Sequence, residues 1–334
     1  MKSEPLLANP FRLSWWSGYI FGGYSAESLG LFRIWFAFGL IFYHVSQVLF
    51  LFSIDPLGKA FYFTDPIWYF RLVGLHVHVP WVTYAAIATL FASTVTLGLG
   101  YRTRWSLVVL FISMAYVQGV RDSFDGDVHH RYVVPANAII IFLFSRCGDV
   151  LSLDARRHRQ QGRLLAPVEE WAASWPLRVI QIYVAFYYFF AAVAKLRIAG
   201  LAWVGDGGQV QIKLIERSMR YGLDEHGQAV RMKLGYLLAQ MPGWLVAFVS
   251  VVILFELLSP LVLLTRSLRL RILFVICATT FHVLNFVLLS VVFLLYPFML
   301  VVFFDLAKVA DRLREYCGWK WLPAWSRNSI AASA

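Results

Sequence analysis

Long apolar runs separated by short polar stretches recur along this chain, and the pattern predicts membrane-spanning helices. A helix needs about 20 predominantly apolar residues to cross a hydrocarbon core of about 30 Å. Runs of roughly this kind recur eight times, and we place them at residues 29–52, 81–99, 105–119, 132–144, 177–196, 244–264, 271–288 and 291–304. The sequence therefore predicts an all-α, polytopic helical bundle with about eight transmembrane helices.

The segments that flank this bundle differ from it in pattern. Residues 1–28 are rich in aromatic side chains and predict a cytoplasmic or interfacial lead-in. They lack the apolar core and small-residue cleavage site of a signal peptide, so we expect the first span to target the protein. Residues 29–304 form the predicted transmembrane domain, and residues 305–334 form a basic cytoplasmic tail.

Composition places the chain among membrane proteins. It is 60% hydrophobic and only 15% charged, with a mean hydropathy of +0.64, whereas about a quarter of the residues in a soluble domain are charged. The formal net charge of +11 would suggest a nucleic-acid partner in a soluble protein. Here the loops carry most of that charge, so topology and anionic lipid explain it better, and we expect no nucleic-acid partner.

The basic residues fall on alternate loops, which predicts the orientation. With a cytoplasmic N-terminus, every strongly basic loop lies inside, as the positive-inside rule requires. Both termini are then cytoplasmic, and the polar stretch 121–131 faces outward. The basic residues used in this argument are Lys2, Arg12, Arg102, Arg104, Arg146, Arg156, Arg157, Arg159, Arg163, Arg266, Arg269, Arg271, Lys308, Arg312 and Arg314.

Lys195, near the end of the fifth predicted span, is the first candidate for chemistry. An amine at this depth is costly unless it reaches an interface, finds a partner or lines a polar cavity. Snorkelling to the membrane surface is the simple alternative. Other polar side chains share the predicted depth, namely His44, His129, His130, Glu256, His282 and Asn285.

Each of these side chains also has a purely structural explanation. A buried histidine can bond to a backbone carbonyl, and Glu256, four residues before Pro260, can bond to backbone that the proline leaves unpaired or to a nearby cation. Their joint occurrence in segments this apolar favours a cavity or pathway. Desolvation disfavours an ammonium, so a lysine there can act as a neutral general base. Aromatic surroundings suit a lipophilic substrate such as a quinol or isoprenoid.

Metal chemistry is the competing interpretation. Histidine and glutamate are suitable ligands, but no HxxxH or ExxH pair lies on one predicted helix, and the three cysteines form no CxxC motif. We therefore expect no metal.

Four blocks of sequence resemble the HTTM (horizontally transferred transmembrane) family, which includes the membrane part of vitamin K-dependent gamma-glutamyl carboxylase. They are SLGLFRIWFAFGLIFYH (28–44), DVHHRYVVPANAIIIFLFS (127–145), YYFFAAVAKLRIAGLAWVGDG (187–207) and FHVLNFVLLSVVFLLYPFMLVV (281–302). The resemblance covers most of the chain and implies a transmembrane helical fold. We expect the protein to lie in the bacterial cytoplasmic membrane.

The resemblance also implies roles for particular residues. The carboxylase lysine that deprotonates vitamin K hydroquinone falls on Lys195, and the first lysine of the family's KK pair falls on Ala194. The family's histidine falls on His130, while His129 replaces an asparagine, so the choice between these two histidines stays open. The last block places a histidine at His282 and an asparagine at Asn285. O2 and CO2 are implied as further reactants.

One departure from the carboxylases limits what the resemblance carries. Carboxylases have a sizeable lumenal domain after these helices, whereas this chain ends about thirty residues past the last predicted span. We therefore expect a short member of the family without a module for long protein substrates, although a peptide or protein substrate stays an expectation of the resemblance.

The leading hypothesis from the sequence is a membrane enzyme that uses a quinol-like cofactor or substrate. Lys195 is the base and His130 its helper, and the site opens to the outer side; the other candidate site residues, expected to line or orient the pocket, are His282, Asn285, His129, Glu256 and His44. Two alternatives from other classes remain. One is a non-catalytic scaffold or partner protein whose Lys195 binds lipid phosphate, and the other is a small-molecule channel or carrier, against which the missing internal repeat counts.

Overall fold

A computed structural model describes residues 13–52, 58–63, 65–125, 133–163, 165–205, 207–219, 233–265 and 267–318. The chain divides into two compact units. The first unit comprises Ser17–Ile180 and Phe304–Ala334, and the second comprises Met1–Trp16 and Gln181–Phe303.

Helices dominate both units, in agreement with the all-α prediction. In chain order they are α1 (Leu13–Phe21), α2 (Ala26–Phe52), α3 (Trp68–Leu72), α4 (Pro80–Leu99), α5 (Thr103–Asp125), α6 (Val133–Phe144), α7 (Leu153–Gln160), α8 (Glu170–Ala199), α9 (Ala202–Gly205), α10 (Gly208–Met219), α11 (Lys233–Ala239), α12 (Pro242–Leu258), α13 (Leu261–Leu264), α14 (Leu268–Leu289), α15 (Leu295–Leu300), a 3₁₀ turn (Val301–Phe303) and α16 (Leu306–Tyr316). The described strands, β1 (Phe61–Tyr62) and β2 (Val77–His78), pair antiparallel, with Phe61 opposite His78.

Within the described residues, five helices are long and apolar enough to cross a membrane. They lie in α2, α4, α5, α8 and α14. A sixth span results if α11 and α12, which are bent by 106° at their junction, are taken as one. The prediction of a helical membrane protein is therefore confirmed, whereas the predicted count of eight spans is not.

Two predicted spans correspond to short helices. The fourth is α6, whose 12 residues extend only about 18 Å at 1.5 Å per residue. The eighth contains α15, with 6 residues, and the 3₁₀ turn after it. Hydropathy identifies an apolar run, but it does not show where the backbone stops being helical. Here α14 ends at Leu289, and the next residue, Ser290, has a left-handed φ of +54°.

The third predicted span was placed too short, because α5 continues through the polar residues 120–125. Arg121 and Asp122 are buried there rather than exposed in a loop. Both side chains have partners: Arg121 donates to the Gln47 side chain, and Nε2 of Gln118 donates to Asp122 Oδ1 at 2.7 Å. Bonds of this kind satisfy polar side chains that would otherwise end the apolar segment.

In the first unit, the basic loops gather at the end where α2 begins. The Asp154 carboxylate of α7 accepts bonds from the backbone N–H groups of Arg102 and Thr103, both at 2.8 Å. At the same end, Ser28 donates to Asp305 at 2.5 Å and so attaches the start of α16. Arg102, Arg104 and Arg146 therefore lie at the same end of this unit.

The second unit is held together by a cluster of buried aliphatic side chains from α10, α11, α12 and α14. The contact between α11 and α14 is unusually close at Gly235. A Cβ built on Gly235 would lie 2.4 Å from the backbone carbonyl oxygen of Leu288. Only glycine therefore lets the two helices approach this closely.

Replacement of Gly235 by alanine is expected to destabilise the protein by about 1–3 kcal/mol, the usual cost of overpacking, because neither backbone can yield locally. Gly243→Ala is the matched control, since a Cβ on Gly243 meets nothing within 4 Å. Thermal unfolding in detergent, followed by circular dichroism, distinguishes the two. Equal melting temperatures for both variants would contradict the close helix contact.

Candidate functional site

The fifth predicted span ends in an ion pair buried on one side. Lys195 Nζ on α8 donates to both carboxylate oxygens of Glu256 on α12, at 2.5 and 2.6 Å. The Glu256 side chain is 1% exposed and the Lys195 side chain 27% exposed. The ammonium therefore lies between the buried carboxylate and more open space, and Lys195 is not simply snorkelling to the surface.

Local structure brings these two side chains together. Lys195 lies four residues before the end of α8, and Glu256 lies in the last turn of α12, just before the break at Ser259 and Pro260. The Ser259 hydroxyl donates to the Ala185 carbonyl of α8 at 2.8 Å and to the Glu256 carbonyl at 2.7 Å. This bond fixes α12 against α8.

A mainly apolar cavity of about 160 Å³ begins at Lys195. Its wall comes from α8, α9, α10, α12 and α14, and all of its lining residues, which include Phe248, Ile253, Phe281 and Leu284, belong to the second unit. Glu256 is not among the lining residues, so a ligand in the cavity contacts Lys195 and not the Glu256 carboxylate. A cavity of roughly 150 Å³ accommodates a single benzene ring.

Two further polar groups lie on the wall of this cavity. The side-chain amide of Asn285 donates a hydrogen bond from Nδ2 to the Phe281 carbonyl oxygen at 2.8 Å, and this bond orients the side chain. Trp203 Nε1 is a buried donor with no hydrogen-bond partner among the described residues. Buried polar groups are nearly always paired, so this unpaired indole N–H is a natural contact for a ligand oxygen.

A second buried polar pair lies on the same helices. Tyr188 Oη of α8 and His282 Nε2 of α14 are 2.6 Å apart. Aromatic rings surround this pair: the His282 ring centroid is 4.7 Å from that of Tyr296 and 5.2 Å from that of Phe281. Phe281 also lines the cavity, so the aromatic surroundings of the Tyr188–His282 pair border the cavity.

Helical geometry relates the two pairs. Tyr188 and Lys195 are seven residues apart and share one face of α8, with about 10 Å of rise between them. The second unit thus contains two buried polar pairs spaced along one side of α8. The cavity lies at the charged pair, Lys195 and Glu256, because Lys195 is one of its lining residues.

The predicted site residues divide into three groups. Lys195 and Asn285 line the cavity, while Glu256 lies behind Lys195 and His282 is bonded to Tyr188. His44 belongs to the first unit, where it is 1% exposed and packs edge-on against Phe91. His129 and His130 lie outside the described residues.

Several residues at or near the cavity were not singled out from the sequence. Tyr188 could have been found, because it is seven residues before Lys195 and so lies on the same helix face. Trp203 and Lys213 reach the cavity from α9 and α10, and their approach depends on tertiary packing that no local pattern predicts. No group of three or more histidine, cysteine, aspartate or glutamate side chains able to hold a metal occurs in the described part of the chain.

No family model matches this chain, and no curated protein or solved structure matches it either.

Proposed function

We propose that this protein is a membrane enzyme that accepts a proton from a lipophilic quinol-like cofactor or substrate at Lys195. The observation that carries the proposal is the ion pair at the cavity: Lys195 lines an apolar space the size of one ring, and its amine is paired with the buried Glu256 carboxylate. The face of the first unit that carries the basic loops is the cytoplasmic face in this proposal.

The cavity fits the head of such a ligand. Its volume of about 160 Å³ suits a single ring, and an isoprenoid tail would have to extend beyond it. Trp203 Nε1 can donate to a ring oxygen, and the Asn285 side chain can hold a second polar group. The apolar walls exclude water from the ring.

The proton route follows from the positions of the two charged groups. Lys195 Nζ can accept a proton only after it has released one, and Glu256 Oε1 and Oε2, at 2.5 and 2.6 Å, are in place to receive it. Transfer within the pair leaves a neutral amine facing the cavity and a neutral carboxylic acid behind it. In a water-poor site this removes two charges that are costly to bury.

A quinol supplies an acidic hydroxyl group and, once deprotonated, a ring that reacts with O2. The resemblance adds carboxylation with CO2 as a following reaction, on a peptide or smaller carbon acid. The contribution of this chain is limited to holding the ring, orienting its oxygens and moving the proton from Nζ to Glu256. A functional role for His129 or His130 stays part of the proposal.

Lys195→Arg tests this function. Arginine retains a positive charge and can pair with Glu256, but its guanidinium does not give up a proton near neutral pH. We expect the variant to fold and to lose quinol-dependent oxygen uptake by at least about 100-fold, the usual contribution of a general base. Purified protein, reduced menaquinone and an oxygen electrode provide the assay, with Lys308→Arg, at an exposed position outside the cavity, as control. Full turnover in Lys195→Arg would exclude lysine as the base.

The same variant distinguishes the scaffold alternative. A second lysine, Lys213, lines the cavity, so two cations are available to a lipid phosphate. A phosphate clamp survives Lys195→Arg, because arginine binds phosphate at least as well. Tight phospholipid binding without redox turnover in the native protein would therefore favour a lipid-binding partner protein.

A further inference from the structure

A polar cavity in the first unit lies away from the residues considered so far. It has a volume of about 400 Å³ and is bounded by the start of α5, the turn after α6 and one side of α7, with Arg102, Arg104 and His158 on its wall. An adjoining cavity shares Asp154 and His158 and adds Arg157 and Arg163. We call the two together the arginine cavity.

Buried hydrogen bonds and close packing fix the wall of the arginine cavity in place. Arg33, which is 0% exposed, donates to the carbonyls of Cys147, Val150 and Leu151 at 2.5, 3.1 and 2.7 Å and so fixes the loop after α6. A Cβ on Gly148 would lie 2.7 Å from Thr103 Oγ1, so this loop closes tightly onto the start of α5.

The charges in the arginine cavity are unbalanced. Its two carboxylates already have partners: Asp154 accepts from Arg102 N, Thr103 N and Thr103 Oγ1, and Asp149 pairs with Arg146 at 2.7 Å. Burial raises the pKa of the Cys147 thiol, so it adds no negative charge near neutral pH. The guanidinium groups of the cavity are those of Arg102, Arg104, Arg157 and Arg163. Within the described residues, no carboxylate forms an ion pair with any of them.

The cavity lies beside the end of a candidate membrane span. Thr103 is the first residue of a candidate span, and Trp105, which lines the cavity, is 70% exposed. Phe144, at the end of α6, is 74% exposed. Exposed aromatic side chains beside cationic ones are typical of the headgroup region. A ligand can therefore reach the arginines from the lipid layer.

From this arrangement we infer that the arginine cavity binds a phosphate group, presented by an anionic phospholipid. Guanidinium forks match phosphate oxygens in geometry and charge. His158 Nδ1, a buried atom without a hydrogen-bond partner among the described residues, adds a further group on the same wall. The site is independent of the proposed function, since it uses none of the residues at Lys195.

Native mass spectrometry of the full chain in detergent tests the inference. The probes are phosphatidylglycerol, phosphatidylcholine with the same acyl chains, and inorganic phosphate. We expect phosphatidylglycerol to bind at least tenfold more tightly than phosphatidylcholine. The double variant Arg104→Gln/Arg157→Gln should weaken phosphatidylglycerol binding by about tenfold or more, since each basic side chain contributes roughly 1 kcal/mol at a membrane surface.

Arg156→Gln/Arg269→Gln is the matched control, because it removes the same charge from two exposed arginines that do not line the arginine cavity. An equal loss in this control would mean diffuse attraction and overturn the site. Equal affinity for the two lipids would overturn it as well, and tight binding of inorganic phosphate alone would exclude the lipid as the source. The single variant Arg163→Gln gives a second reading if the double variant fails to fold. Lys195→Arg should leave lipid binding unchanged.

Discussion

Replacement of Lys195 by methionine is expected to lower the free energy of unfolding by about 3–5 kcal/mol, the cost of removing one partner from a buried ion pair. The reason is the position of Glu256, whose side chain is 1% exposed and whose two oxygens both accept from Lys195. Without the ammonium, the carboxylate must either remain charged without a partner or take up a proton. Both outcomes cost folding free energy.

A double variant separates stability from chemistry. In Lys195→Met/Glu256→Leu both charges are replaced by apolar groups of similar length, and such replacements are often neutral or stabilising. We expect its stability to return close to that of the native protein while quinol-dependent turnover stays absent. Unfolding in mixed micelles and oxygen uptake measure the two properties. A double variant no more stable than Lys195→Met would mean that the pair does not account for the loss.

The second large effect is expected at Arg33. Arg33→Leu removes the donor to three carbonyls of the loop after α6, and each buried group left unpaired costs about 1–3 kcal/mol. Because water can reach some of these carbonyls once the loop loosens, we expect a total loss of about 3–5 kcal/mol. The loop should also lose hydrogen-exchange protection at its backbone amides.

Two controls sharpen this prediction. Arg33→Lys retains the charge but offers a single ammonium in place of a planar fork, so we expect it to recover only part of the stability. Arg156→Leu, at an exposed position of α7 in the same unit, should change stability by no more than about 0.5 kcal/mol. If Arg33→Leu behaved like Arg156→Leu, the loop would not depend on this guanidinium.

Much of the fold was predictable because a membrane limits the choices. Apolar runs near residues 29–52, 81–99, 177–196 and 271–288 became long helices, since a backbone in hydrocarbon must satisfy its own hydrogen bonds. The prediction was weaker wherever hydropathy and helix length diverge. Residues 121–125 are mostly polar yet helical, while residues 291–304 are apolar yet do not form one continuous helix.

The sequence predicted some residues of the candidate site, but it did not predict which of them contact each other. Lys195 and Glu256 stand out in sequence because a charge in an apolar segment is costly, but their pairing depends on where α8 meets α12. Trp203 and Lys213 carry no comparable signal, because their role follows only from the packing of α9 and α10 beside the cavity.

The sequence by itself determined that this is a helical membrane protein with a few expensive polar side chains, because hydrophobicity and charge are properties of each residue and its neighbours along the chain. Only the tertiary structure decided which of those side chains meet. It joined Lys195 to Glu256, Tyr188 to His282, and Arg33 to the loop after α6. Hydrogen bonds and ion pairs act over about 3 Å, and contacts at that range between residues 61 to 118 positions apart are set by how helices pack.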